Sequence, residues 1–217
     1  MDIHARPVLT YRWIVFLMAA GYSIYRIVVA DYGSPGGDFR YLTIWALLFS
    51  FFSASRLLAV SEHRSSLRWD KTIMCTAVLN AMVVFMYWRL FFIDPTLVNG
   101  NGDIIWHQQY YLHMVGPAVQ IFDALFIAQV FHRAHRAIPM LVAIILGYVA
   151  WTELFVQAFN NSPVGSVTSG LPYPFLNSME LSGRAVFYAT NAATGIAVLG
   201  VFTVIMWVAL RFIPSRR

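Results

Sequence analysis

Thr43 and His113 carry the side chains of a nucleophile and a general base. Thr43 closes the segment Pro35-Gly36-Gly37-Asp38-Phe39-Arg40-Tyr41-Leu42-Thr43. The glycines permit a tight turn. Asp38 is the expected N-cap of the helix that follows, which puts Thr43 about one turn in. His113 lies a few residues inside the corresponding end of a later apolar run. Both are then within about 10 Å of their helix starts, at 1.5 Å rise per residue. A threonine hydroxyl is a poor nucleophile at neutral pH and needs a neighbouring base, a role imidazole can fill. Spacing alone leaves two plain alternatives open: a threonine bonded back to the preceding turn, and a histidine hydrogen-bonded for packing.

Ionisable residues inside apolar runs are costly and point to function or to buried pairing. Asp123 and Glu153 are the two clear cases. Their structural alternative is a buried pair with Arg26, Arg89 or backbone groups. Asp123 follows His113 by ten residues and should lie about 15 Å deeper along the helix, so any link between them needs a bridge. His4, His63, His132 and His135 fall among basic residues and read as solvated, and His107 falls in a loop on the other side. His132 and His135 lack an acidic third ligand, and no His-x-x-x-His pair lies in an apolar run, so no metal is expected. Phosphate-binding glycine loops and Gly-x-Ser-x-Gly elbows are missing as well, and no cofactor is expected. Cys75, the single cysteine, excludes an intramolecular disulfide and reads as a small packing residue.

The elements that must position these side chains are membrane helices. Of 217 residues, 59% are hydrophobic and 12% charged, about half the usual charged share. A soluble fold of this size could not bury so much apolar surface. The 16% aromatic content suits membrane interfaces. Six runs reach the roughly 20 residues a span requires: 11–30, 41–60, 71–92, 110–131, 138–159 and 184–213. Between them stand Gly33-Ser34-Pro35-Gly36-Gly37, Asp94-Pro95 with Asn99-Gly100-Asn101-Gly102, and the stretch 160–174. The first run is followed by Arg26, Asp31 and a Gly/Pro turn, so it reads as a helix and not as a cleavable signal. The expectation is an all-α polytopic membrane protein, one integral domain over 1–217.

The net charge of +5 reflects topology better than nucleic-acid binding, because the basic residues cluster between apolar runs. One side holds Arg6, Arg12, Arg56, Arg64, Arg68, Lys71, Arg133, Arg136, Arg211, Arg216 and Arg217; the other holds Arg26, Arg40, Arg89 and Arg184. Eleven against four puts the first side, with both termini, in the cytoplasm.

Four stretches together resemble the androgen-induced gene family, which includes the androgen-dependent TFPI-regulating protein. Gly36-Gly37-Asp38-Phe39-Arg40-Tyr41-Leu42-Thr43 is similar to its Gly-Gly-x-aromatic-basic-aromatic-Leu-Thr signature. Leu112-His113, with Asp123 ten residues on, resembles the helix-four segment. Gly147-Tyr148-x-x-Trp151 resembles a step in helix five, and Tyr173-Pro174-Phe175-Leu176 the box before the last helix. The order is kept from about residue 25 to 183. The chain departs in that the family's Asn-His-x-x-His cluster is reduced to His113, with Tyr110 and Tyr111 before it, in Pro117 coming one residue early, and in a longer loop over 160–170. These departures bear on substrate choice.

The resemblance implies a membrane threonine hydrolase of fatty acid esters of hydroxy fatty acids, with Thr43 as nucleophile and His113 as base. Arg26 or Arg40 would hold a free substrate carboxylate, and Asp123 would order a polar network beneath the site. Tyr148, Trp151 and Tyr173 would help line it. The partner is then a lipid from the bilayer, and the compact loops suggest a bacterial cytoplasmic membrane. A non-catalytic lipid-binding or sensing protein, and a small proton-coupled transporter working through Asp123 and Glu153, are the alternatives.

Overall fold

A computed structural model describes residues 2–99, 104–161 and 170–212. The expected turn at 100–102, most of the loop over 160–170, and Arg216 and Arg217 lie outside the described residues. Five helices are long and apolar enough to cross a membrane. They are Arg6–Val29 (α1), Leu42–Ser61 (α2), Asp70–Ile93 (α3), Val130–Val156 (α5) and Leu181–Phe212 (α6). Between α3 and α5, residues 106–127 form a further continuous helical segment, α4. It carries more polar residues, and these face inward: His113, Gln120 and Asp123 are buried, while Met114 and Phe122 are exposed. Polar groups in lipid are tolerated when turned into the bundle.

The central helix is α3, which packs against α2, α4, α5 and α6. Cys75 and Val78 on it are fully buried, so the cysteine is a packing residue as its setting suggested. Hydrogen bonds between helices add to this packing. Ser53 and Thr76 meet at 2.7 Å, Asn80 donates to Ser50 Oγ at 2.8 Å, and Gln120 donates to the Ser50 carbonyl at 3.2 Å.

One ion pair ties three helices. Arg12 donates twice to Asp123, at 2.9 and 2.7 Å, and also to Ser61 Oγ and the Leu57 carbonyl. Asp123 and Arg12 are each 2% exposed. The partner of Asp123 is thus neither Arg26 nor Arg89. Arg12, counted above as a topological charge, lies far enough into α1 to be desolvated and needs a counter-ion there. Glu153 is likewise paired elsewhere: Arg184 on α6 donates to it at 2.8 and 2.9 Å, and Tyr188 at 2.7 Å.

Segment α4 is not a uniform α-helix. It makes π turns at Tyr111–Val115 and Asp123–Ile127. Proline supplies the physical reason for the first. In an α-helix the His113 carbonyl would accept from residue 117, but Pro117 has no N–H. The indole of Trp88 on α3 donates to that carbonyl instead, at 2.8 Å. Gly116 permits the wide turn, since a Cβ there would lie 2.9 Å from the Tyr111 carbonyl oxygen.

Two predictions follow from these features. Arg12→Met or Asp123→Leu alone leaves a buried charge unpaired and should cost about 3–5 kcal/mol, with much of the loss regained in the double variant. Denaturation in mixed detergent micelles would read this, and fully additive losses would refute the pairing. Gly116→Ala should cost about 1–3 kcal/mol through overpacking, seen as a lower thermal midpoint. An unchanged midpoint would mean that α4 does not need its π turn.

Candidate active site

The loop between α1 and α2 delivers Thr43. Gly36 and Gly37 have φ of +73° and +49°, the left-handed values that favour glycine. A Cβ on Gly36 would come within 2.7 Å of Val156 and 3.5 Å of Trp151, so the turn sits directly on α5. Residues Gly37–Arg40 then make a 3-10 turn, and α2 starts at Leu42 with Tyr41 as its N-cap. Asp38 is therefore not the cap. It is buried and takes an ion pair from Arg26 of α1, the nearer attraction for a carboxylate with little access to water. Thr43 is consequently the second residue of α2, earlier in the helix than expected.

That position changes what its hydroxyl can do. Thr76, Thr152, Thr190, Thr194 and Thr203 each donate to the carbonyl four residues back. Thr43 has no α-helical turn behind it, only the 3-10 turn Gly37–Arg40, and its hydroxyl has no hydrogen-bond partner among the described residues. The equivalent carbonyl, that of Phe39, accepts from the Trp45 indole at 2.9 Å.

His113 is delivered by the π turn of α4. Its ring is 6% exposed and stacks on Tyr87 of α3, with centroids 3.6 Å apart and planes 5° from parallel. Its Nδ1 is buried without a hydrogen-bond partner among the described residues. The backbone is anchored by Trp88, so both neighbours on α3 hold the imidazole in place. Tyr87 and Trp88 were not singled out from sequence; their aromatic types were there, but nothing in one chain says which ring an imidazole will meet.

Thr43 and His113 line one cavity of about 470 Å³, with Arg26, Asp38, Arg40 and Tyr173 also on its wall. These come from α1, the glycine turn, α2, α4 and the loop before α6. Gln108, Gln109 and Asn99 add amide groups, and Met86, Val83 and Leu112 an apolar side. Arg26 Nε, like His113 Nδ1, is a buried donor or acceptor with no partner, an arrangement that calls for an explanation such as a ligand. Arg40 lies over the Tyr41 ring at 4.9 Å and reaches the Gly170 carbonyl at 3.4 Å. At the mouth, the Gly33 N–H and Ser34 hydroxyl hold the Asp31 carboxyl below the usual range.

The other expected residues are spread around this site. Tyr148 on α5 donates to the Arg40 carbonyl at 2.8 Å and so braces the turn from below. Trp151 packs under Gly36 and stacks on Phe155 at 4.4 Å. Asp123 is not on the cavity wall; it sits with Arg12 toward the other end of the bundle. Neither does Glu153 line the cavity.

Chemically, the arrangement offers a free hydroxyl, an imidazole, cationic groups and an apolar wall in one space. No curated protein and no solved structure matches the chain. A family model described as FAR-17a/AIG1-like protein matches residues 7–207, a span that contains every residue of the cavity, and the chain therefore belongs to the FAR-17a/AIG1-like family, the androgen-induced gene family.

Proposed function

We propose that this multi-pass membrane protein is an intramembrane lipid ester hydrolase that uses Thr43 as nucleophile and His113 as general base. The observation that carries the reading is the convergence of these two residues, seventy apart in sequence, on one cavity wall. The unshared hydroxyl and the unpartnered imidazole support it. Membership of the family is consistent with it.

In the proposed reaction His113 takes the Thr43 proton as the hydroxyl oxygen attacks the ester carbonyl. The developing oxyanion needs donors. The Thr43 N–H in the first turn of α2 is suited to this, because it lies at the positive end of the helix dipole, whereas the Ile44 N–H already donates to the Tyr41 carbonyl at 3.1 Å. Collapse transfers the proton from His113 to the leaving alcohol and leaves an acyl-threonine. Water, activated by the same histidine, then releases the fatty acid. Arg26 is placed to meet a free carboxylate, as in fatty acid esters of hydroxy fatty acids, and Arg40 stands beside it.

The topology that accompanies this reading is six spans with α4 as the fourth, and both termini cytoplasmic. Its support is geometric as well as electrostatic. His4 contacts the Ser61 carbonyl and stacks on His63, and Arg68 donates to the Ala128 carbonyl. The N-terminus and the α2–α3 and α4–α5 connections therefore share one end, where the basic residues gather. The cavity is at the opposite, outer end. The transporter alternative loses ground, since Asp123 and Glu153 are both held in ion pairs.

The test is hydrolysis of a branched fatty acid ester by purified protein in detergent. Thr43→Ala should abolish turnover, and His113→Ala should lower it by about a hundred- to ten-thousandfold. Thr43→Ala should keep the thermal midpoint of the parent. Turnover that survives Thr43→Ala would exclude that nucleophile. Lipid retained through purification, with no ester cleaved by any variant, would instead indicate a binding protein.

A further inference from the structure

A second cavity continues from the first, between α3, α5 and α6. The two share Leu42, Met86, Pro172 and Tyr173, and Leu42 is the chain neighbour of Thr43. From there the slot passes down α3 from Met86 to Val78 and down α6 from Tyr188 to Gly195. Seven or eight residues at 1.5 Å rise make it about 10–12 Å long.

The chemistry of its wall selects the occupant. Three of its polar side chains are already engaged inside the protein. Tyr148 donates to the Arg40 carbonyl, Tyr188 to Glu153, and Asn191 to the Phe187 carbonyl. The rest of the deep wall is Val78, Leu79, Met82, Leu141, Ile144 and Ile145. A polar ligand placed there would go unpaired at a cost of a few kcal/mol. The slot is narrow, about 60 Å³, which suits a linear chain better than a ring, and Met82 and Met86 have flexible side chains able to part for one. It ends at Gly195. A Cβ on that residue would stand 3.7 Å from Val78 and 3.9 Å from Ile145, so the missing side chain is what gives the slot its last few ångströms.

We propose that this slot holds the acyl chain of the ester presented to Thr43, and that Gly195, facing Val78 and Ile145, is the floor that sets the accepted chain length. The ester part of the proposal rests on the hydrolase reading; the slot's affinity for an acyl chain does not.

The experiment compares p-nitrophenyl butyrate and decanoate as substrates, and in parallel the competition of butyrate and decanoate with radiolabelled decanoate for binding. Gly195→Leu should lower the decanoate-to-butyrate ratio of kcat/KM by about tenfold or more, and the binding ratio in the same direction. Ile145→Ala, which deepens the slot, should raise both, and it carries the test if Gly195→Leu does not fold. Gly200→Leu has no atom within 4 Å of its Cβ and should leave both ratios as they are. Ratios unchanged in Gly195→Leu and Ile145→Ala, or moved equally by Gly200→Leu, would overturn the slot while hydrolysis stood. Binding ratios that shift as described, with no ester hydrolysed by any protein, would support the slot and reject the hydrolase.

Discussion

A charge inside a bilayer must find its partner within the protein, and the bundle is organised around that requirement. Arg12 and Asp123 are almost wholly removed from solvent and lie on helices separated by most of the chain. Their bidentate contact fixes the rotation of α1 against α4, and the further bonds of Arg12 to Leu57 and Ser61 bring in α2. Arg184 and Glu153 do the same for α5 and α6. Each pair has large desolvation costs, so its worth lies less in net stability than in the penalty for any packing that separates the partners. Once helix rotation is set in this way, the positions of Thr43 and His113 at the other end are no longer free.

Two polar atoms on the cavity wall, His113 Nδ1 and Arg26 Nε, have no partner among the described residues, and neither do Ser23 Oγ, Arg56 Nε and Trp151 Nε1 elsewhere. Aromatic stacking and a backbone bond from Trp88 hold the histidine without engaging that nitrogen. A side chain fixed by its ring face and its carbonyl keeps its nitrogens available for proton transfer. This differs from a packing histidine, whose nitrogens would be the means of attachment.

Much of this was legible in the sequence because lipid imposes simple rules. Apolar runs of sufficient length found the five long helices, and the glycine pair at 36–37 marked a turn that does need left-handed φ. Sequence also brought Thr43 and His113 to the same end. What it missed were partnerships. Arg12 read as a topological charge because it stands near the start of an apolar run, and only the three-dimensional packing shows it inside. Asp38 read as a helix cap because local chemistry allows it, yet Arg26 of another helix attracts it more strongly. The π turn of α4 was half visible in Pro117 and Gly116, but the donor that replaces the lost N–H sits on α3, outside the reach of any local pattern. Tyr87 escaped for the same reason.

The start of α2 has a wider meaning. Five threonines among the described residues give their hydroxyl protons to the helix that carries them, and Thr43 differs from them in position, not in kind. Its freedom comes from the glycine turn that prevents the helix from beginning earlier, and from the Trp45 indole that occupies the Phe39 carbonyl. Helix length is thus a chemical variable here. One more turn at the N-terminal end would give the same hydroxyl a carbonyl of its own helix to donate to, with its atoms unchanged. The availability of a hydroxyl in such a bundle is a property of where its helix is made to begin.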